Sequence, residues 1–421
     1  MENVGYRKVH AYAASFGDDL ARELIDGHTQ AGDVILDPFV GAATVLLQAR
    51  LLGRSAIGID IDPVACLIAR VIGTSYSLDE LDELYQRVVR QVAEVETELS
   101  GMPLDEETWC PGAQFSINGV VGIMPYEPKI QYWFEPVQRA TLAVLTQLVK
   151  LQTDPRQADV LRLAISSAII RKWPNTLSLA RDIDHSRPHK VSRTDLSVAS
   201  QFKIFRRVLK GIVQTLRNLN SQADHTDSTT QVIEGDACHV INQLEPDSVD
   251  YVLTSPPYFN AIDYPRAHQF SQWWLWQEQE PLTRNRYVGL RTSGKDTSVI
   301  AQCDELIPYR IHEIRWLQEV SRATYASLCR YIADLNAIIG GLTQVIKPGK
   351  TLTFVLANNT IRGVVVPLSN IVGDLLEQNG LASIEIQQRQ IRASRRRYPY
   401  GITGFKGLMH SEYLIHARKP S

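Results

Sequence analysis

The sequence has little of several residue types, and each shortage argues against a class of protein. It has 5 Cys in 421 residues, and none of them forms a Cys-x-x-Cys pair. This argues against a disulfide scaffold, a structural zinc site and a dithiol redox motif. No apolar run reaches the roughly 20 residues that a membrane span needs, and the first residues lack the apolar core of a signal peptide. We therefore expect a cytoplasmic protein with reduced thiols and no membrane anchor.

The chain also lacks an excess of charge of either sign. Lys and Arg number 44 and Asp and Glu number 46, so the formal net charge is -2 and does not by itself indicate a nucleic-acid partner. The charge is unevenly distributed along the chain, however. Residues 79–107 contain ten acidic residues against two Arg, residues 181–217 contain nine Lys or Arg against three Asp, and residues 389–419 contain eight against one Glu. The near-neutral total is therefore a cancellation between unlike regions.

What the sequence does contain is a series of short apolar runs near its two ends. Such runs, several of them ending in an acid and followed by a helix, are typical of a parallel sheet. The last two runs have no helix between them, which predicts an antiparallel pair. One long helix is predicted from about Tyr309 to Ile346. The predicted strands are 33–37, 55–60, 231–236, 249–254, 351–357, 382–388 and 412–417.

Between residues 75 and 230 the strand pattern is interrupted. Residues 79–107 are acidic and predicted to be helical, and residues 109–134 are predicted to form an irregular loop or hairpin. A 3.6-residue apolar periodicity predicts helices within residues 135–172 and an amphipathic helix over 198–219. The sequence as a whole predicts an α/β fold with a Rossmann-like sheet, an antiparallel C-terminal strand pair and a mainly helical insertion. We therefore expect residues 1–74 and 231–421 to form the two parts of the sheet domain. Residues 75–230 would form the insertion.

The first segment suited to ligand binding is Asp37-Pro38-Phe39-Val40-Gly41-Ala42-Ala43-Thr44, between a predicted strand and a predicted helix. Small residues let a backbone approach a ligand closely, and a helix N-terminus offers free N–H groups. Asp60 ends the next strand, where its carboxylate is suited to two ribose hydroxyls of a nucleoside. A tight turn that serves only packing is the alternative for this segment.

The second segment, Thr254-Ser255-Pro256-Pro257-Tyr258, directly follows a predicted strand. The two prolines fix φ and remove two backbone donors, so their carbonyls act only as acceptors. The Ser255 oxygen and the Pro256 carbonyl are suited to accept two hydrogen bonds from an exocyclic amino group. Tyr258 offers a flat face on which a base can stack. The alternative is a Pro-Pro loop that leaves a sheet beside a core tyrosine.

Together the patterns D-P-F-x-G-x-x-T and T-S-P-P-Y resemble the S-adenosylmethionine-dependent DNA amino-methyltransferases, over residues 1–74 and 231–417. S-P-P-Y is typical of the members that methylate the cytosine amino group, whereas adenine-specific members more often carry D-P-P-Y or N-P-P-Y. The resemblance implies a class I methyltransferase sheet with S-adenosyl-L-methionine as cofactor. It also implies site-specific methylation of the cytosine N4 amino group in duplex DNA, with the target base flipped out of the stack.

The resemblance also implies the residues of the site. His10-Ala-Tyr-Ala-Ala-Ser-Phe16 resembles the family's H-x-Y-P-A-K-F segment, and Gly235-Asp236-Ala237 resembles a G-D-A that contacts the adenine ring. Ala43 stands where the cofactor loop usually has a second glycine, although alanine does not readily adopt a positive φ. The implied catalytic residues are Ser255, Pro256, Pro257 and Tyr258. The implied cofactor-binding residues are His10, Tyr12, Phe16, Asp37, Pro38, Phe39, Gly41, Thr44, Asp60, Ile61, Asp236, Ala237 and Thr254.

Duplex DNA is the implied partner, and the basic segments are candidates for phosphate contacts. The helical insertion is the candidate region for sequence recognition. A solvated basic surface is the alternative for each basic segment. His185 and His189 are four residues apart, but a polar loop facing DNA is favoured there and no metal is predicted. The candidate DNA-binding residues are Arg187, Lys190, Arg193, Arg266, Arg395, Arg396 and Arg397.

Other activities stay open at this point. N6-adenine methylation is the nearest alternative, because the same motif geometry serves both bases. An RNA amino-methyltransferase and a non-catalytic cofactor-binding subunit are further alternatives. Methylation of a cytosine carbon is excluded, since it needs a Pro-Cys dipeptide and no Cys here follows a proline. A cognate restriction endonuclease is a further implied partner, and the sequence carries no signature of an oligomeric state.

Overall fold

The structure is a computed structural model that describes residues 9–12, 17–171, 175–180, 196–222, 228–259, 263–277, 287–288, 297–390 and 411–421. None of the described helices is both long and apolar enough to cross a bilayer. The strands are β1 (Val34–Asp37), β2 (Ser55–Asp60), β3 (Gln114–Ile117), β4 (Val120–Ile123), β5 (Thr230–Glu234), β6 (Val249–Thr254), β7 (Ile346–Leu356), β8 (Asn359–Ile361), β9 (Val364–Val366), β10 (Ala382–Gln390) and β11 (Ser411–Arg418). The helices are α1 (Asp18–His28), α2 (Thr44–Leu51), α3 (Pro63–Gly73), α4 (Leu78–Leu99), α5 (Ile130–Trp133), α6 (Pro136–Lys150), α7 (Pro155–Ile169), α8 (Val198–Gln222), α9 (Ala237–Val240), α10 (Tyr264–Leu275), α11 (Thr297–Leu306), α12 (Ile311–Val320), α13 (Arg322–Val345) and α14 (Leu368–Gln378).

The first of two compact units comprises Met1–Ala13, Arg70–Ala223 and Tyr264–Pro281. It is mainly helical, with α4, α6, α7, α8 and α10, and β3 and β4 form an antiparallel hairpin. A capping box starts α4: the Ser77 hydroxyl accepts the N–H of Glu80, and the Glu80 carboxylate accepts the N–H of Ser77. The apolar side chains of α4 recur at helical spacing and are buried, which confirms the helix predicted within residues 79–107.

Opposite charges join α4 and α8 within the first unit. Arg206 of α8 pairs with Glu96 of α4 at 2.5 Å, and Arg217 of α8 pairs with Asp82 of α4. The acidic stretch and part of the first basic stretch therefore neutralise each other. The excess of positive charge on α8 is smaller than the sequence count implies.

The second unit comprises Ala14–Ala69, Asp224–Asp263 and Leu282–Ser421. Its sheet has the strand order β5-β2-β1-β6-β7-β11-β10. The pairs from β5 to β7 are parallel, whereas β11 is antiparallel to both β7 and β10. This confirms the predicted α/β fold with an antiparallel C-terminal strand pair. From β1 the chain proceeds to β2 and β5 on one side, and from β6 it proceeds to β7 on the other side. The neighbouring strands β1 and β6 therefore form the topological switch point of the sheet.

Both faces of this sheet are covered by helices, which explains why its inner strands are mainly apolar and buried. Ile35 and Leu36 of β1 point to opposite faces, and both are fully buried. Ile35 is in register with Tyr251 of β6, and the ring of His28 from α1 stacks on Tyr251 at 5.0 Å. Leu36 belongs to the apolar core formed with α13 and α14.

The prediction of a single long helix from about Tyr309 to Ile346 is wrong. The structure has two helices there, α12 and α13, separated at Ser321. Ser321 has an extended backbone, with φ of -163°, and its hydroxyl accepts the N–H of Thr324. A serine in this position caps a new helix. The apolar periodicity continues on both sides of Ser321 and therefore concealed the break.

The predicted division of the chain at residues 74 and 230 stays a prediction. The compact units of the structure change over close to these positions, at Arg70 and Asp224. The first unit also contains Met1–Ala13 and Tyr264–Pro281, which the sequence assigned to the sheet domain.

Candidate active site

The carboxyl ends of β1 and β6 bring the two sequence motifs together in the second unit. Asp37 ends β1 and Thr254 ends β6, and the Thr254 hydroxyl donates a 2.7 Å hydrogen bond to the Asp37 carboxylate. Both residues are buried. In α/β sheets, ligands bind outside the carboxyl ends of the strands at the switch point. The predicted catalytic motif, Ser255–Tyr258, therefore begins beside the loop that follows β1.

The loop between β1 and α2 is held by two carboxylates. The N–H of Phe39 donates to Asp37 at 3.1 Å, and the N–H of Gly41 donates to Asp60 at 2.9 Å. Asp60 ends β2, and its other carboxylate oxygen accepts the N–H of Asp62 at 2.9 Å. Asp60 thus ties the loop to the neighbouring strand.

Ala43 has the left-handed conformation that is uncommon for alanine, with φ of 60° and ψ of 27°. It directly precedes α2, and its methyl group is fully buried. Its N–H donates to the carbonyl of Val40 at 2.7 Å and closes the turn. The chain keeps a left-handed conformation at this position without a glycine, at a cost of about 1–2 kcal/mol.

Burial raises the pKa of both carboxyls of this site to about 7. For Asp37, the loss of solvation outweighs the hydrogen bonds from Thr254 and Phe39, which lower the pKa. For Asp60, burial is the largest cause and the negative charge of Asp62 acts in the same direction. Each carboxyl therefore changes its protonation state near neutral pH.

The predicted adenine-binding segment follows β5 in the same unit. The N–H of Gly235 donates to the carbonyl of Asp60 at 2.8 Å, so the ends of β5 and β2 lie together. Asp236 caps α9 by accepting the N–H of Cys238 at 3.0 Å. The Thr44 hydroxyl, at the first residue of α2, is buried and has no hydrogen-bond partner among the described residues.

The remaining predicted cofactor residues of the second unit lie at the ends of strands. Pro38 directly follows β1 and is buried, Ile61 directly follows β2 and is half-buried, and Ala237 is the buried first residue of α9. The predicted residues of this unit therefore gather at the carboxyl ends of β1, β2, β5 and β6.

Two side chains outside both motifs hold the loop that contains the catalytic motif. The Tyr331 hydroxyl, from α13, donates to the carbonyl of Pro257 at 3.0 Å. The rings of Tyr331 and Phe259 lie 5.6 Å apart. The Asn359 amide, at the start of β8, donates to the carbonyl of Phe259 at 2.5 Å. The sequence analysis missed both residues, because a tyrosine within an apolar helix and an asparagine after a strand carry no spacing signal.

The motif itself is partly accessible. Ser255, Pro257 and Tyr258 are half-buried and Pro256 is buried. Tyr258 is not among the residues of the apolar core of this unit. This exposure disfavours the alternative in which Tyr258 serves only as a core residue.

His10 and Tyr12 lie in the first unit, in a cluster of polar and aromatic side chains. Nε2 of His10 lies 2.9 Å from the Ser166 hydroxyl oxygen, which lies 2.8 Å from that of Ser271. The ring of Tyr12 stacks on that of Tyr264 at 6.0 Å. Their assignment as cofactor residues stays a prediction.

The His10 imidazole is neutral in this environment. Burial is the main cause that lowers its pKa to about 3, and the charges of His268 and Arg171 act in the same direction. The His268 ring lies 6.2 Å from that of His10, in an edge-to-face arrangement.

Of the predicted DNA-binding residues, the structure describes Arg266. Arg266 is half-buried on α10 of the first unit. These DNA assignments stay predictions. Among the described residues no three His, Cys, Asp or Glu side chains are grouped as a metal ion would require. The predicted site residues outside the described residues are Phe16, Arg187, Lys190, Arg193, Arg395, Arg396 and Arg397.

The chain is similar in sequence to known DNA methyltransferases. A family model described as DNA methylase, for the N6/N4 methyltransferases, matches residues 2–71. The type II methyltransferase M.BsoBI of Geobacillus stearothermophilus is 22% identical over 424 residues, which cover 93% of this chain and 82% of that protein. The type II methyltransferase M.MvaI of Kocuria varians is 21% identical and covers 92% of this chain and 84% of that protein.

A solved S-adenosylmethionine-dependent methyltransferase from Methanosarcina mazei covers 94% of this chain and 97% of that one, with 10% identity and a TM-score of 0.32. At that score the likeness gives no residue-level correspondence. The family model includes Asp37, Ala43 and Asp60, and the two type II enzymes are similar along nearly the whole chain. The chain is therefore similar to the DNA amino-methyltransferases over residues 2–71 and to type II methyltransferases over nearly its whole length.

Proposed function

We propose that this chain transfers a methyl group from S-adenosyl-L-methionine to the N4 amino group of cytosine at a specific site in duplex DNA. The observation that carries the proposal is the hydrogen bond between Thr254 and Asp37, which sets the catalytic motif beside the loop after β1. The S-P-P-Y form of the motif supports cytosine as the target. N6-adenine methylation is the alternative outcome of the test below.

The residues at the carboxyl ends of β1, β2 and β5 fit the cofactor. The Asp60 carboxylate is suited to the ribose hydroxyls, and Asp236 follows the strand that would lie beside the adenine ring. The Thr44 hydroxyl, at the start of α2, is buried without a partner among the described residues, and we propose that the cofactor supplies one. When bound, S-adenosyl-L-methionine supplies a methyl group carried on a positively charged sulfur.

The catalytic motif would act on the target amino group through hydrogen bonds. The lone pair of this nitrogen is conjugated with the pyrimidine ring, which makes it a poor nucleophile. The Ser255 oxygen and the Pro256 carbonyl accept hydrogen bonds from its two N–H groups and expose the lone pair. Stacking on Tyr258 offsets part of the few kcal/mol that base flipping costs. Alignment of the two substrates lowers the barrier by up to about 7–11 kcal/mol.

The proposed partner is duplex DNA, contacted by basic residues. Arg266 and the Arg395–Arg397 run are candidates for phosphate contacts, together with Arg187, Lys190 and Arg193. The insertion, residues 75–230, is the candidate for sequence recognition. Because the similar proteins are type II methyltransferases, we further propose a role in restriction–modification beside a cognate endonuclease.

The test is to incubate the purified chain with labelled S-adenosyl-L-methionine and duplex DNA and to identify the methylated nucleoside by mass spectrometry. We expect N4-methylcytosine. Ser255→Ala should lower kcat at least 100-fold while cofactor affinity is kept. Ser248→Ala is the matched control, since the Ser248 hydroxyl donates to the carbonyl of Glu245 in the same unit. N6-methyladenine as product would overturn the base assignment, methylation of RNA alone would overturn the DNA substrate, and cofactor binding with no turnover would indicate a non-catalytic subunit.

A further inference from the structure

We infer that Tyr331 and Asn359 are positioning residues, which hold the 255–259 loop in the shape that methyl transfer requires. The inference rests on the proposed function, because it assigns these side chains to the loop that would receive the target amino group. Neither side chain belongs to a motif, and each donates a hydrogen bond to a backbone carbonyl of this loop.

The loop needs donors from outside because its own backbone has few. Pro256 and Pro257 have no N–H and cannot donate to a neighbouring strand. The strand β6 ends at Thr254, immediately before the loop. The conformation beyond Thr254 therefore depends on groups that donate to the loop's carbonyls.

Tyr331 is a well-placed donor of this kind. It lies on α13, a long helix of the buried core, and only 2% of its surface is exposed. Its hydroxyl reaches the Pro257 carbonyl at 3.0 Å, and its ring contacts Phe259 two residues later. Burial raises the pKa of the Tyr331 hydroxyl above its usual value, so the group stays protonated and remains a donor.

Asn359 holds the other end of the loop and is itself fixed by its neighbours. The preceding residue, Asn358, accepts the N–H of Ser369 at 2.9 Å at the start of α14. The following hairpin turns at Arg362 and Gly363, whose φ values are 49° and 85°. Two successive positive φ values indicate a tight turn that matches the twist of the strands. The Asn359 amide is therefore presented to Phe259 from a fixed segment.

These anchors act on the group that would touch substrate, the Pro256 carbonyl. The ring of Pro257 fixes its φ, and the peptide bond before it is planar. Once the Pro257 carbonyl is held by Tyr331, only the ψ of Pro257 separates that carbonyl from the Pro256 peptide. The orientation of the Pro256 carbonyl therefore depends on the hydrogen bond from Tyr331. Loss of this bond should affect the chemical step more than substrate binding.

Tyr331→Phe tests this, because it removes only the hydroxyl. We expect kcat to fall about tenfold or more, with KM for DNA and the cofactor dissociation constant unchanged. Tyr251→Phe is the matched control, since the Tyr251 hydroxyl is equally buried in the same unit and donates to Thr353 at 2.7 Å. The melting temperature should fall by a similar amount in both variants, whereas kcat should fall only in Tyr331→Phe.

Asn359 has its own matched pair of variants. Asn359→Asp keeps the shape but removes the donor to Phe259, and should lower kcat about tenfold or more. Asn358→Asp introduces the same charge one residue earlier but keeps the acceptor for the Ser369 N–H. It should therefore keep kcat.

The double variant Ser255→Ala/Tyr331→Phe separates positioning from a general loss of fold. If Tyr331 acts through the motif, its effect on kcat should be smaller in the Ser255→Ala background than in the native chain. Equal falls in Tyr331→Phe and Tyr251→Phe, or additive effects in the double variant, would overturn the inference. No methylation by the native chain, or full activity of Ser255→Ala, would overturn the proposed function instead.

Discussion

The Thr254 hydroxyl donates a 2.7 Å hydrogen bond to the Asp37 carboxylate, across 217 residues of sequence. Thr254 immediately precedes the proposed catalytic motif, and Asp37 begins the loop after β1. The bond is buried, and its acceptor also receives the N–H of Phe39. One carboxylate thus fixes the start of both loops of the proposed site.

Thr254→Val should uncouple these two loops. The change keeps the side-chain shape but leaves a buried carboxyl without its side-chain donor, which costs about 1–3 kcal/mol of unfolding free energy. The pKa of Asp37 should rise further, because the Thr254 hydrogen bond lowers it. Thr254→Ser keeps the donor and should behave like the native chain. Chemical denaturation and cofactor titration of both variants check this, and equal stability of the two would contradict it.

Cofactor affinity should depend on pH through Asp60. Its pKa is raised to about 7, so the carboxyl is neutral below that pH and a poorer acceptor for ribose hydroxyls. Affinity should therefore rise as pH increases through about 7 and level off above it. Asp60→Asn should bind weakly at every pH, whereas Asp62→Asn, which removes the nearby negative charge, should move the midpoint to lower pH. Calorimetric titrations between pH 6 and 8.5 measure this, and a pH dependence retained in Asp60→Asn would assign it to another group.

Replacement of Ala43 should show how its left-handed conformation affects the free energy of unfolding and cofactor affinity. Ala43→Gly removes the backbone strain of about 1–2 kcal/mol but also loses a buried methyl group, worth about 0.8 kcal/mol, and adds freedom to the unfolded chain. We expect a change within about 1 kcal/mol and unchanged cofactor affinity. Ala43→Val places a β-branched residue at positive φ and should destabilise the chain by more than 2 kcal/mol, as roughly expected for such an outlier. A stable Ala43→Val would contradict the observed conformation.

Because His10 is buried in its neutral form, the free energy of unfolding should fall in mild acid. Its folded pKa is lowered to about 3, whereas the unfolded value is 6.5, so the unfolded chain binds the proton more readily. The stabilisation is present above pH 6.5 and is lost as pH falls toward 3, by up to about 1.4 kcal/mol per pH unit. His10→Gln should reduce this slope, and His312→Gln, at an exposed position of α12, is the control. Urea unfolding at pH 7, 6 and 5 measures the slopes, and equal slopes in the two variants would refute the assignment.

The run Arg395-Arg396-Arg397 should contribute to DNA affinity through charge alone. Replacing all three with Ala should weaken binding to every DNA sequence and reduce the salt dependence of log Kd by about 0.9 for each phosphate that the variant no longer neutralises. Replacing all three with Lys keeps the charge and should retain most of the affinity. Fluorescence anisotropy at several salt concentrations measures both effects. An unchanged salt dependence in the Ala variant would remove these residues from the DNA contacts.

The sequence by itself predicted those features that depend on local pattern. The inner strands follow from apolar runs that are buried on both faces, and the acceptor character of the catalytic motif follows from two prolines without N–H groups. The loop after β1 and the position of Asp60 at a strand end were also predicted. Each of these signals is confined to a few consecutive residues.

Only the tertiary structure decided which distant groups meet and what their surroundings do to them. The pairing of Asp37 with Thr254, the anchors from Tyr331 and Asn359, and the pairing of α4 with α8 join residues with no common sequence pattern. The raised pKa of Asp60 follows from burial, which no single segment encodes. The break at Ser321 also became visible only in the structure, because the same apolar period suits one helix or two. Local pattern determined the elements and the chemical groups, whereas burial and long-range contacts determined how those groups are oriented and charged.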